Sequence, residues 1–96
     1  MHYVYILRSL KDGRLYTGST GDVAERVASH NRGATPSTRK RRPFELVYVE
    51  ECAAKASALA RERQLKSLGG GPEKFRLVEQ AAGGVVEMRK RYLGGI

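Results

Sequence analysis

The sequence predicts an α/β (α+β) domain: a small three-stranded antiparallel or mixed sheet flanked by helices, in the order β-β-α-β-α-α. Three observations carry that expectation. Two short runs rich in β-branched and aromatic residues are joined by an Asp12-Gly13 turn, which is a hairpin signal. The second run feeds directly into a segment of helical periodicity ending near Asn31. A third alternating run, Phe44 to Glu50, is followed by two helix-like segments separated by three glycines.

Residues 2 to 8 form the first strand, with Tyr3, Tyr5 and Leu7 on one face and Val4 and Ile6 on the other. Both faces are largely apolar, so this strand is expected at the centre of the sheet. A tyrosine there requires a partner for its hydroxyl. Lys11 to Arg14 is the turn, and Leu15 to Ser19 the returning strand, in which Gly18 permits close approach of a side chain, backbone or ligand. Thr20 or Asp22 can cap the first helix, with Glu25 three residues beyond Asp22 and Arg32-Gly33 as its stop. The apolar stripe of that helix is Val23 and Val27, and helical spacing places Arg26 and His30 on the same side. An inward cation is costly unless it meets an anion or hydrogen-bond partner; otherwise Arg26 snorkels from the stripe's edge.

Residues 33 to 43 read as a loop with four consecutive cations, Arg39, Lys40, Arg41 and Arg42, among the hydroxyls of Thr35, Ser37 and Thr38. That mixture suits phosphate contacts, although a solvated charge run has the same composition. Cys52 closes the third strand as a small apolar residue. A second helix over about residues 53 to 67 presents Ala54, Ala58, Leu59, Leu65 and Leu68 inward, with the glycines at 69 to 71 as its end. Glu62 projects from the same side, either as an ion-pair partner for Arg26 or as a metal ligand at a shared cleft. Pro72 opens a third helix reaching Ala81, and the Gly83-Gly84 pair breaks it. Residues 81 to 96 form a basic extension, helical or mobile, after a domain spanning residues 1 to 80.

Ninety-six residues suffice for one core. The formal charge of +8 favours a polyanionic partner. It is uneven: residues 1 to 43 carry a net +6 and residues 44 to 96 a net +2. A single cysteine excludes an intrachain disulfide and a cysteine-based zinc site, and points to a reducing cytoplasm. No early apolar run has the form of a signal peptide, and no stretch approaches the ~20 apolar residues of a membrane helix. A cytoplasmic protein without a membrane partner is expected.

Tyr5, Tyr16, Arg26, His30 and Glu62 thus fall where a hairpin meets two helices. In this constellation the chain resembles the GIY-YIG nuclease superfamily, in its small stand-alone bacterial form. The first motif matches Tyr3-Val4-Tyr5, and the second Tyr16-Thr17-Gly18, eleven residues from tyrosine to tyrosine. The helix arginine matches Arg26, ten residues after Tyr16; the frequent histidine matches His30, and the metal-binding glutamate Glu62. The segment from Arg41 to Tyr48 fits the same pattern, and the resemblance runs from residue 2 to about residue 78. The chain departs from it in having Tyr3 for the first glycine and Thr17 for an aliphatic residue. It also lacks an asparagine beyond the glutamate.

The resemblance implies hydrolysis of DNA phosphodiesters with one divalent cation, Mg²⁺ or Mn²⁺, anchored by Glu62, in repair or recombination. Arg26 would hold non-bridging phosphate oxygens. Tyr5 is favoured as general base, with Tyr16 positioning water or phosphate, although the reverse assignment stays open. His30 would orient Tyr5 or relay its proton. A free tyrosine titrates near pH 10, and Arg26, Arg8 or the metal is expected to lower that value. Arg8, Arg32 and the Arg39–Arg42 run are the expected nucleic-acid contacts, with RNA a second candidate substrate and a protein partner a candidate source of targeting. The competing readings are a catalytically inactive nucleic-acid-binding module with this fold and a small basic RNA-associated protein.

Overall fold

The computed structural model describes residues 1–67 and 70–94. Its elements are β1 (His2–Ser9), β2 (Leu15–Thr20), α1 (Val23–Asn31), β3 (Phe44–Cys52), α2 (Lys55–Lys66), α3 (Gly70–Ala81) and α4 (Val85–Leu93). Short 3₁₀ turns occupy Arg39–Arg41, within the basic loop, and Ala82–Gly84.

The sheet has the order β2-β1-β3, and both pairings are antiparallel. β1 is central because it is apolar on both faces. Val4, Tyr5, Ile6 and Leu7 are all at most 1% exposed. Tyr5 and Leu7 pack with Val23, Val27, Phe44 and Leu46 under α1. On the other face Val4 meets Ala58 and Leu65 of α2, and Ile6 meets Val47 and Val78. A bulge shifts the β1–β3 register between Ile6 and Leu7, so that Leu46 rather than Val47 stands opposite Leu7.

The hairpin turns at Gly13, whose φ of 75° lies in the left-handed region. Asp22 caps α1 by accepting from the Glu25 backbone N–H at 3.1 Å. Gly33, with φ of 82°, ends that helix.

Two expectations need correction, the buried face of α2 and the opening of α3. On α2, Ala54 and Leu59 are exposed; the buried face is Ala58 and Leu65, with Arg61 and Glu62 half-buried beside them. Arg61 is therefore a second inward charge, bound to Glu50 at 2.9 Å and to Glu73 at 3.2 Å. The expected Leu68 contact and the Gly69 stop lie outside the described residues; Gly70 and Gly71 open α3, placing Pro72 at its third residue. Residues 85 to 93 are helical and docked. Arg89 donates from Nε to the Leu46 carbonyl at 2.8 Å, and Tyr92 packs edge-on against Tyr3 with centroids 5.6 Å apart. α4 thereby adds Met88 and Tyr92 to the margin of the core that Tyr5 and Leu7 share with α1. Among the described residues, no helix is long and apolar enough to cross a membrane.

Candidate active site

β1 and β2 place Tyr5 opposite Gly18 and Leu7 opposite Tyr16. Directly paired residues share a sheet face, so both tyrosines and Gly18 face α1. An alanine methyl at Gly18 would overlap the Tyr5 hydroxyl and the end of its ring. The missing side chain is therefore the space that the phenol fills.

α1 supplies Arg26 and His30 to the same face. The Tyr5 hydroxyl lies 2.9 Å from His30 Nε2, and Arg26 Nε donates to it at 3.4 Å. The other ring nitrogen of His30, Nδ1, lies 2.9 Å from Thr38 Oγ1. His30 and Thr38 are both fully buried. The imidazole is walled by aromatic edges: its centroid is 4.9 Å from Tyr16 and 6.0 Å from Phe44.

Burial dominates the electrostatics. It pushes Tyr5 up to about 12, because loss of water penalises the phenolate more than Arg26 stabilises it. Arg26 lowers the value, as expected of a nearby cation, but burial outweighs it. Arg8 takes no part: its side chain is on the opposite face, paired with Glu45 at 3.0 Å. Burial, with help from the Arg26 charge, lowers His30 to about 4, so the imidazole is neutral near pH 7. Hydrogen bonding to Tyr5 raises the pKa of Arg26.

Glu62 reaches the site from the other side of the sheet. Ser19, on the α2 face of the edge strand β2, donates to Glu62 Oε1 at 2.7 Å. Lys66 Nζ lies 2.6 Å from Glu62 Oε2, and the same ammonium sits 5.6 Å from the centre of the Tyr16 ring. The ion-pair partner of Glu62 is therefore Lys66, one helical turn on, rather than Arg26. Burial alone would raise the Glu62 carboxyl, but the bonds from Lys66 and Ser19 and the charges of Lys66 and Arg26 hold it low. The carboxylate is ionised and in reach of a cation.

Among the described residues, no three His, Cys, Asp or Glu side chains gather as a metal cage. One carboxylate that already holds a cation fits Mg²⁺ or Mn²⁺, which keep water and substrate phosphate as their other ligands.

The basic loop divides. Arg39, Lys40 and Arg42 are exposed. Arg39 and Arg42 use their Nε atoms on the backbone carbonyls of Gly33 and Arg39. Arg41 turns inward, paired with Asp12 at 3.2 Å and stacked over Phe44. Arg32 lies at the end of α1, paired with Glu25 at 3.0 Å. Thr38, expected among the phosphate-facing hydroxyls, instead bonds His30 in the core. Sequence reasoning also missed Lys66 and Ser19; the i,i+4 spacing of Glu62 and Lys66 was a usable signal.

Comparison with known proteins gives a consistent relationship. The family model described as the GIY-YIG catalytic domain matches residues 1–74. A UPF0213 protein of Staphylococcus haemolyticus is 41% identical over 80 residues, covering 82% of this chain and 95% of that protein. One from Natronomonas pharaonis is 46% identical over 83 residues, covering 85% and 95% respectively. The NMR structure of the UPF0213 protein BH0048 from Bacillus halodurans matches with a TM-score of 0.55 and 39% identity, covering 93% of this chain and 94% of that one.

Proposed function

This chain belongs to the GIY-YIG catalytic domain family, in its UPF0213 group, and from that premise we propose that it is a divalent-metal-dependent nuclease hydrolysing DNA phosphodiesters. The observation that most supports this reading is the buried Tyr5 hydroxyl, bracketed by His30 Nε2 and Arg26 Nε. Packing alone would be served by phenylalanine. Here a buried hydroxyl has an imidazole nitrogen on one side and a guanidinium donor on the other.

In the proposed reaction Tyr5 is the general base and works through His30. A phenol held near 12 is not standing ionised at neutral pH. As a water gives its proton to Tyr5 Oη, the phenolic proton passes to His30 Nε2, and the water oxygen forms its bond to phosphorus. The ester oxygen leaves with the electron pair of the broken P–O bond. Arg26 holds the non-bridging oxygens as their charge grows, and Tyr16 positions the water or phosphate. Glu62 would hold a divalent cation, which would supply polarisation of the phosphate and stabilisation of the leaving oxygen. The exposed Arg39, Lys40 and Arg42 bind flanking phosphates, with Arg32 as a further contact and Arg8, on the opposite face, left to its pair with Glu45. Repair or recombination is the proposed setting, on strand ends or branched structures.

One observation favours the alternative of an inactive binding module: the Lys66 ammonium already neutralises Glu62. Incubation of the protein with single-stranded, duplex and branched DNA, and with RNA, in Mg²⁺ or Mn²⁺ separates the two. Metal-dependent cleavage supports the nuclease; retention of DNA without cleavage of any substrate supports the binder.

A further inference from the structure

We infer that Thr38 is a positioning residue of this site: its hydroxyl fixes His30 in the tautomer that carries its proton on Nδ1, leaving Nε2 to receive the proton of Tyr5. The inference rests on the roles proposed above for Tyr5 and His30, and its observation is distinct from theirs.

Proton accounting carries it. Thr38 Oγ1 has two polar neighbours, His30 Nδ1 at 2.9 Å and, at the longer distance of 3.4 Å, the Thr35 carbonyl, which also accepts from the Thr38 and Arg39 backbone N–H groups. A hydroxyl has one proton to give. The Thr35 carbonyl can only accept, so a hydroxyl directed to it leaves Oγ1 as the acceptor for an Nδ1–H. Nε2 then bears the lone pair, and the Tyr5 hydroxyl donates to it. Arg26 Nε–H donates in turn to Tyr5 Oη. Every proton is placed, and the bonds run in one direction: Arg26 to Tyr5 to His30 to Thr38 to the Thr35 carbonyl.

The opposite arrangement fails at Tyr5. A Thr38 hydroxyl directed at Nδ1 would put the ring proton on Nε2, aimed at an oxygen that already faces Arg26 Nε–H. The phenolic proton would then have no acceptor among these groups, in a side chain only 1% exposed. The rings of Tyr16 and Phe44 that pack against the imidazole offer no strong acceptor. Tyr5 and Arg26 thus require the proton on Nδ1, and Thr38 Oγ1 is the acceptor that holds it there. Thr38 also directly precedes the Arg39–Arg41 turn, so the chain that carries the exposed cations is pinned to the imidazole beneath them.

The test is ¹⁵N NMR of the histidine ring nitrogens near pH 7, where His30 is neutral. His30→Gln identifies the signals, since the chain has two histidines. The wild type is expected to show a protonated Nδ1 and an unprotonated Nε2. Thr38→Val, similar in shape but without a hydroxyl, should lose that tautomer and lower cleavage roughly 10²-fold. Thr38→Ser should restore both. A wild-type His30 protonated on Nε2, or an Nδ1 tautomer that persists in Thr38→Val, overturns the inference. The wild-type spectrum decides even if Thr38→Val does not fold. A protein that shows the Nδ1 tautomer but cuts no substrate overturns the nuclease reading alone.

Discussion

Tyr5 Oη and His30 Nε2 lie 2.9 Å apart, and neither residue is more than 1% exposed. They are 25 residues apart in the chain, one on the central strand and one on the helix that the hairpin feeds. Burial moves the two in opposite directions, the phenol upward and the imidazole downward. Both are therefore neutral over a wide range around pH 7, held at ordinary hydrogen-bond distance.

Stability should fall on acidification through His30. Its folded pKa, about 4, is below the ordinary 6.5, so the unfolded chain binds the extra proton first. The stabilising contribution is complete above pH 6.5 and is lost as pH falls towards 4. Each pH unit in that window is worth at most about 1.4 kcal/mol, giving a loss of roughly 3 kcal/mol between pH 7 and pH 4. Urea unfolding at both pH values checks this. The loss should be smaller by about that amount in His30→Gln; an equal loss in both proteins would contradict it.

Gly18→Ala should disturb the site directly, because the new methyl overlaps the Tyr5 hydroxyl. Overpacking of this kind costs about 1–3 kcal/mol, and displacement of the hydroxyl should lower cleavage more than tenfold, within the roughly 10²–10⁴-fold worth of a positioned acid or base. Gly13→Ala is the control. Its strain comes from a positive φ with nothing nearby to meet the methyl, so it should lower the melting temperature and leave cleavage near wild type.

Lys66→Met removes the ammonium from Glu62 while keeping an apolar stem against Tyr16. With its competitor gone, Glu62 should bind Mn²⁺ roughly fivefold more tightly, as an exposed ion pair of up to about 1 kcal/mol would allow. Titration followed by calorimetry or electron paramagnetic resonance measures it. Unchanged or weaker Mn²⁺ binding would show that Lys66 does not compete for the carboxylate.

The basic loop should separate into two kinds of cation. Changing Lys40 and Arg42 together to glutamine should weaken DNA binding and reduce the slope of log K against log salt by about 1.8, for two phosphates lost. Arg41→Gln should act mainly on stability, since Arg41 pairs with Asp12 and covers Phe44. Binding measured at several salt concentrations, beside a thermal melt, distinguishes them.

The parts of this structure that were legible in the sequence are those set by local rules. The Asp12-Gly13 turn, the Asp22 cap and the Val23/Val27 stripe locate the hairpin and α1, and with them the common face of Tyr5, Tyr16, Arg26 and His30. Glu62 stood out as a charge on an apolar side. What escaped depends on contacts distant in the chain. Arg61 is held inward by Glu50 from β3 and Glu73 from α3, which no helical periodicity reveals in an alanine-rich segment. Thr38 lies in a loop whose path is fixed only once Arg41 pairs with Asp12 and Phe44 joins the sheet. Tyr5 appeared open to tuning by nearby cations because sequence spacing does not report desolvation, which proved the larger effect.

The most direct test is metal-dependent DNA cleavage by the wild type, Glu62→Ala and Tyr5→Phe, each confirmed folded by its thermal melt. The wild type should cut at least one of single-stranded, duplex or branched DNA in Mg²⁺ or Mn²⁺. Both variants should fall by roughly 10²-fold or more. Cleavage that survives both substitutions would contradict the proposed site, and a wild type that binds DNA but cuts none would mark the chain as a binding module.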